Sequence, residues 1–252
     1  MEITFLTPNQ ALKEYEKSNY FAEMSPAEIA KRLTRMGAEN MMQGYCKYLK
    51  PFSNLEVDNV KKAMKNTHDS IMKYSPDLIP EKIKLIRLSS GIDWDSPYTI
   101  NNCIVIPERI INNIPLDTLC HEFIHIIQRY PLKYPINLRF EKIYANWNFI
   151  KLYDRLDFSA CKKDFFPIMT NPDGLNFQWL WIYNNKSYLL MFGEKGTKII
   201  GGITEVVGNR VSSKWIYIHE AKFYTQFFPP THHQLYHPNE ILAEDWCKII
   251  MK

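Results

Sequence analysis

Two kinds of periodicity run through this 252-residue chain and predict an α+β fold. Apolar residues recur at three- and four-residue spacings through the first third and in several later segments, whereas the stretch from about 176 to 219 reads as strands joined by tight turns. A hydrophobic content of 46% at this length allows a sizeable core without disulfides or oligomerisation.

The first helix signal is Ser25-Pro26-Ala27-Glu28, which combines an N-cap residue, a proline at the first helical position and an acid in the first turn; the helical pattern continues to about Leu49. A second helix is predicted from about Leu55 to Tyr74. From Lys82 the period shortens. Ile83, Leu85 and Ile86 mark one strand ahead of the Ser89-Ser90-Gly91 turn, and Tyr98 to Ile106 is a second, stopped at Pro107. Pro115 and Asp117 open a strongly apolar helix, Thr118 to Tyr130, closed by Pro131. A further helix is predicted from Asn137 to Tyr153, then a turn at Asn171-Pro172-Asp173-Gly174. Phe177 to Tyr183, Ser187 to Phe192, Thr197 to Val207 and Lys214 to His219 are strand candidates, with hairpin turns at Asn184-Asn185 and Gly193-Glu194-Lys195-Gly196. Pro238 to Met251 reads as a closing helix. The expected organisation is a helical N-terminal region over 1–75 and a second region over 76–252, with a β-rich insertion at about 176–219.

Net charge is +4, from 31 basic and 27 acidic residues, a balance that carries no nucleic-acid or anionic-membrane signal. No window approaches the eighteen or so apolar residues of a membrane span, and the start has no basic segment followed by an apolar run, so an intracellular soluble protein is expected. The five cysteines are scattered without C-x-x-C spacing, which argues against a disulfide framework and a thiolate zinc site and predicts reduced, mostly buried thiols. Scarce glycine beside abundant Ile, Lys and Asn is the bias of an AT-rich coding genome, such as a parasite's or a large DNA virus's.

The chemistry concentrates in His121-Glu122-Phe123-Ile124-His125. A helix of 3.6 residues per turn puts positions i and i+4 on one face, so two imidazoles can share one metal ion. Zinc accepts neutral imidazole nitrogen, and a catalytic site needs three protein ligands with one position left to water. Glu122, beside the first ligand, is placed to take a proton from that water. The apolar neighbours Leu119, Cys120, Phe123, Ile124, Ile126 and Ile127 bury the helix nearly all round, and polar groups buried at that density need partners that a metal supplies.

A third ligand must come from elsewhere, and Glu240 in His237-Pro238-Asn239-Glu240-Ile241-Leu242-Ala243-Glu244 is the leading candidate. Here the chain resembles the gluzincin branch of the zincin metallopeptidases, in which His-Glu-x-x-His is followed on a later helix by Asn-Glu-x-x-x-acid. The resemblance implies a zincin-like fold, zinc bound by His121, His125 and Glu240, Glu122 as general base, and Glu244 hydrogen-bonded to a ligating histidine. It covers two short motifs. The long separation of Glu240 from His125 makes the β-rich segment an insertion between the ligand helices. Glu141 and the histidines His232, His233 and His237 compete with Glu240 as third ligand. The metzincin pattern fails because Pro131 stands where it needs a histidine, and Cys103 lacks the motif of a deformylase-type ligand.

Such enzymes also need a donor for the developing oxyanion, for which His237 is the candidate, with Tyr236, His232 and His233 as alternatives. Tyr98 to Ile106 occupies the place of an edge strand that holds an extended peptide by backbone pairing. Together these readings predict a zinc peptidase acting on peptide or protein substrates, with no membrane partner. A catalytically silent zincin-like binding domain and a zinc hydrolase of a non-peptide amide stand as alternatives.

Overall fold

The computed structural model describes residues 1–129 except 23, 25, 75, 77 and 78, then 144–161 except 153, and 166–167, 178–195, 198–228 and 236–251. It is a mixed α+β structure in two compact units, Met1–Tyr134 with Asp245–Lys252, and Pro135–Glu244. Among the described residues no helix is long and apolar enough to cross a membrane.

The first unit opens with β1 (Glu2–Phe5), a strand the sequence pattern did not announce, and turns at Thr7 into α1 (Pro8–Lys17). The Thr7 hydroxyl accepts the Gln10 amide N–H while the Gln10 side chain accepts the Thr7 N–H, a capping box completed by Pro8 at the first helical position. The helix expected to run to Leu49 is two helices, α2 (Pro26–Met36) and α3 (Met41–Tyr48). Gly37 adopts φ 56°, the left-handed conformation that ends a helix, and the Asn40 side chain caps the next one by accepting the Gln43 N–H. β2 (Leu49–Lys50) and α4 (Asn54–Tyr74) follow.

β3 (Lys82–Leu88), β4 (Tyr98–Ile100) and β5 (Cys103–Pro107) complete a sheet of order β1-β3-β5-β4, with β2 also paired to β3. β1, β3 and β5 run parallel, and β4 is an antiparallel edge. The single strand expected over Tyr98 to Ile106 is thus a hairpin. Asn101 (φ 49°) and Asn102 reverse the chain, because asparagine tolerates the left-handed conformation that a tight two-residue turn needs. Every residue of β5 is buried, as a central parallel strand requires. Against this sheet and α4 packs α5 (Leu116–Gln128).

A buried ionic and phenolic network holds the N-terminal helices to the start of β4. Arg32 pairs with Glu28 at 3.0 Å and with Asp93, and Asp93 also accepts the hydroxyls of Tyr45 at 2.8 Å and Tyr98 at 2.7 Å. Tyr15 hydrogen-bonds the Tyr98 hydroxyl at 2.5 Å. Asp93, Trp94 and Asp95 all have positive φ, 51°, 55° and 54°, a conformation that persists only where surrounding contacts hold it.

The second unit is an antiparallel sheet of β6 (Phe149–Leu152), β7 (Phe166–Pro167), β8 (Gln178–Tyr183), β9 (Lys186–Lys195), β10 (Lys198–Val207), β11 (Arg210–Val211) and β12 (Ile216–Tyr217), in the order β11-β10-β9-β8-β6 with β12 on β10 and β7 on β9. Its core includes Leu180, Leu189, Met191, Val206 and Val211. Asn184 and Asn185, at φ 49° and 60°, form the turn between β8 and β9. Of the turn expected at 193–196, Gly193, Glu194 and Lys195 are strand residues paired with Ile200, Ile199 and Lys198, and Gly196 lies outside the described residues. The strand expected over Lys214 to His219 is confined to β12, and Ile218–Glu220 forms a 3-10 turn.

The helix expected from Asn137 to Tyr153 is corrected at its end. Helical residues at 144–146 give way at Asn148 (φ 57°) to β6, whose Phe149 and Ile150 pair with Trp181 and Leu180. Residues 137–143 and 153, and the Asn171 to Gly174 turn, lie outside the described residues. The chain closes through α6 (Lys222–Thr225) and α7 (Pro238–Ile250).

Two outcomes follow from the buried network. Arg32→Ala leaves Asp93 and Glu28 buried without their cation and is expected to lower unfolding free energy by about 3–5 kcal/mol in urea titrations; wild-type stability in that variant would contradict the role assigned to Arg32. Burial, then the Asp93 charge, raises the pKa of the Tyr15, Tyr45 and Tyr98 phenols. A pKa raised in the folded state contributes stability that is complete below the unfolded value of about 10 and is lost as pH rises above it. Stability should therefore fall from about pH 10 upward, with tyrosinate absorbance at these phenols appearing only on unfolding.

Candidate metal centre

The site is built on α5. Pro115 precedes the helix and its carbonyl accepts the Leu119 N–H at 3.2 Å, while the Asp117 carboxylate receives the Thr118 N–H at 2.7 Å in the first turn. Burial from Leu119 to Gln128 is interrupted only at His121, which is partly exposed. His121 and His125, one turn apart, bring their rings to 4.6 Å at 80°, with the two Nε2 atoms 2.9 Å from each other. His125 Nδ1 lies 2.8 Å from Gln128 Oε1. An amide oxygen only accepts, so Nδ1 carries the hydrogen and a neutral His125 presents a lone pair at Nε2. Glu122 is buried, next to His121 in sequence and one helical step of three residues before His125.

α7 carries the carboxylate. At its start the His237 carbonyl accepts the Ile241 N–H at 3.0 Å, and the His237 ring Nδ1 accepts the Asn239 N–H at 3.1 Å. Asn239 Oδ1 in turn accepts the Tyr144 hydroxyl at 2.5 Å. Burial, followed by the Glu240 charge, raises the Tyr144 phenol well above its ordinary value and keeps it a neutral donor. Further along, Trp246 meets Tyr74 edge-on at 5.5 Å, and the Cys247 thiol donates to the Asp117 carbonyl at 3.1 Å. Hydrogen bonding with Cys120, then burial, raises the pKa of Cys247 and keeps it protonated.

The ligand atoms of His121, His125 and Glu240 lie within 4.8 Å of one another, a group that can hold a metal ion. The donor chemistry fits a divalent cation: two imidazoles, at least one presenting a lone pair at Nε2, and a carboxylate on a residue only 2% exposed, whose charge a cation offsets. His237 is buried and its Nδ1 is engaged as an acceptor, which leaves hydrogen on Nε2 of the neutral ring, the form a donor to an oxyanion needs. Tyr236 packs its ring on Phe192 at 4.9 Å. Glu244 stands one turn beyond Glu240 on α7 and is half-buried. The rival ligands Glu141, His232 and His233 lie outside the described residues. Burial, and then Glu14, pushes the Cys103 thiol up to about 12, which suits a protonated core thiol and not a metal ligand.

Sequence reading passed over two residues here. Gln128 is the partner of His125 Nδ1; its position three residues on along the same helix was visible, but a glutamine there is more often ordinary helix surface. Arg129 donates from Nη2 to the Thr99 carbonyl at 2.9 Å and from Nη1 to the Thr99 hydroxyl. Ile100 and Cys103 close the two-residue turn, so Thr99 and Ile104 form the open pair of the ladder and the Thr99 carbonyl points away from β5. Arg129 therefore occupies the outward face of the edge strand.

No family model, curated protein or solved structure matches this chain. Tyr144→Phe removes the donor to Asn239 and should lower unfolding free energy by about 1 kcal/mol in urea titrations; an unchanged midpoint would show that this hydrogen bond contributes nothing net.

Proposed function

We propose that the chain is a zinc-dependent peptidase of the zincin type, with zinc held by His121, His125 and Glu240. The observation that carries this reading is the convergence of those three side chains, two of them on the helix that also bears the buried carboxylate Glu122. Zinc bound there supplies a Lewis acid that lowers the pKa of a bound water and polarises a carbonyl. Glu122 accepts the proton of the attacking water and delivers it to the leaving amine as the carbon–nitrogen bond breaks. His237, with hydrogen on Nε2, is the proposed donor to the developing oxyanion. A silent binding domain accounts for the ligands but gives no reason for Glu122, because a structural site needs no base.

One observation favours a second reading, hydrolysis of a non-peptide amide. A peptide adding a strand to β4 competes with Arg129 for the Thr99 carbonyl, whereas a small amide has no need of that strand.

The test is metal content by mass spectrometry together with hydrolysis of a peptide library. Wild type should carry about one zinc per chain, as expected of a three-ligand site. His121→Ala and Glu240→Gln should lose it, while Glu122→Gln should keep it and lose about 10²–10⁴-fold in rate. Wild type without metal sinks the proposal. Metal retained by Glu240→Gln removes Glu240 from the ligand set, and full activity in Glu122→Gln removes it as the base.

A further inference from the structure

We infer that Gln128 is a positioning residue of the metal centre, an uncharged orienter of His125 that sets how tightly the metal is held. This rests on the metal reading above. His125 and Gln128 are 1% and 5% exposed, so neither nitrogen of His125 can rely on bulk water for a partner. Nδ1 meets Gln128 Oε1 at 2.8 Å, and Nε2 faces His121 Nε2 at 2.9 Å. The amide thus fixes both the tautomer and the ring plane that aim Nε2 at the ligand group.

The choice of an amide has a chemical consequence. A carboxylate behind a ligating imidazole fixes its orientation and also raises its basicity, which strengthens the metal bond. Gln128 supplies the first effect without the second. Two neutral imidazoles and the Glu240 carboxylate leave a divalent ion with a net charge of about +1, and Gln128 adds nothing to reduce it. An ion bound there would be held less tightly than with a carboxylate at 128 and would withdraw electrons more strongly from its remaining ligand. Arg129, the next residue, ties the same end of α5 to Thr99 and restricts the turn that carries Gln128.

The experiment is competition for zinc between the full-length protein and a chromophoric chelator, with circular dichroism of the metal-free forms as the check on folding. Gln128→Leu should weaken zinc binding by about 10–100-fold, and Gln128→Glu, which keeps an acceptor and adds a charge, should bind more tightly than wild type. A merely structural glutamine predicts that Leu and Glu weaken binding alike, and that result overturns the inference. If the Leu variant does not fold, the Glu variant decides: binding tighter than wild type supports the role, and equal or weaker binding overturns it. Zinc affinity equal to wild type in both variants overturns the role of Gln128 alone, whereas wild type without metal overturns it together with the function proposed above.

Discussion

Two imidazole nitrogens 2.9 Å apart are an arrangement that helical spacing permits and that little except a shared proton or a shared cation makes stable. The 3.6-residue turn puts His121 and His125 on one face, and the burial of His125 requires that its ring nitrogens find partners within the protein. The third member, Glu240, is a carboxylate 2% exposed. Much of what surrounds these residues can be read as holding donors in place: Gln128 behind His125, and Tyr144 on Asn239, the residue before Glu240.

The helix α5 that carries both histidines is closely packed on its neighbours. It packs on α4 and on the strands β4 and β5, and β5 is wholly buried. The start of β4 is tied by Tyr98 to Asp93, and through Asp93 to Arg32 on α2 and Tyr45 on α3. Buried charges in such a network gain little net energy over apolar packing, but each is costly to leave alone, so the arrangement selects one geometry over its alternatives. Three successive residues of positive φ at Asp93–Asp95 are tolerated within that geometry.

The edge of the sheet bears on the proposed function. β4 is short and its outward carbonyl at Thr99 is engaged by Arg129. An occupied edge resists pairing with other strands, which protects a sheet against association and also restricts how an extended peptide can be held. The chemistry proposed for the ligand group and the state of this sheet edge are thus separable properties of the chain.

Local signals accounted for much of the architecture. The His-Glu-x-x-His spacing, the apolar helix around it, the closing helix with Glu240 and the Asn184-Asn185 turn are encoded within a few residues each, because helical period and turn chemistry act over that range. What escaped was decided at longer range or by a single residue. β1 and β2 are too short to show a period and exist because β3 offers them partners. Phe149 to Leu152 reads as helix but pairs with β8, since ladder hydrogen bonds to Gln178–Trp181 outweigh a weak local preference. Gly37 and Asn101 break a helix and a strand through left-handed φ values that periodicity does not register. By itself the sequence determined which helix bears the histidines and which side chains have the chemistry of metal ligands. Only the tertiary structure decided that Glu240 reaches those histidines, that Gln128 stands behind one of them and that Arg129 covers Thr99, because each depends on distances between side chains that sequence spacing does not specify.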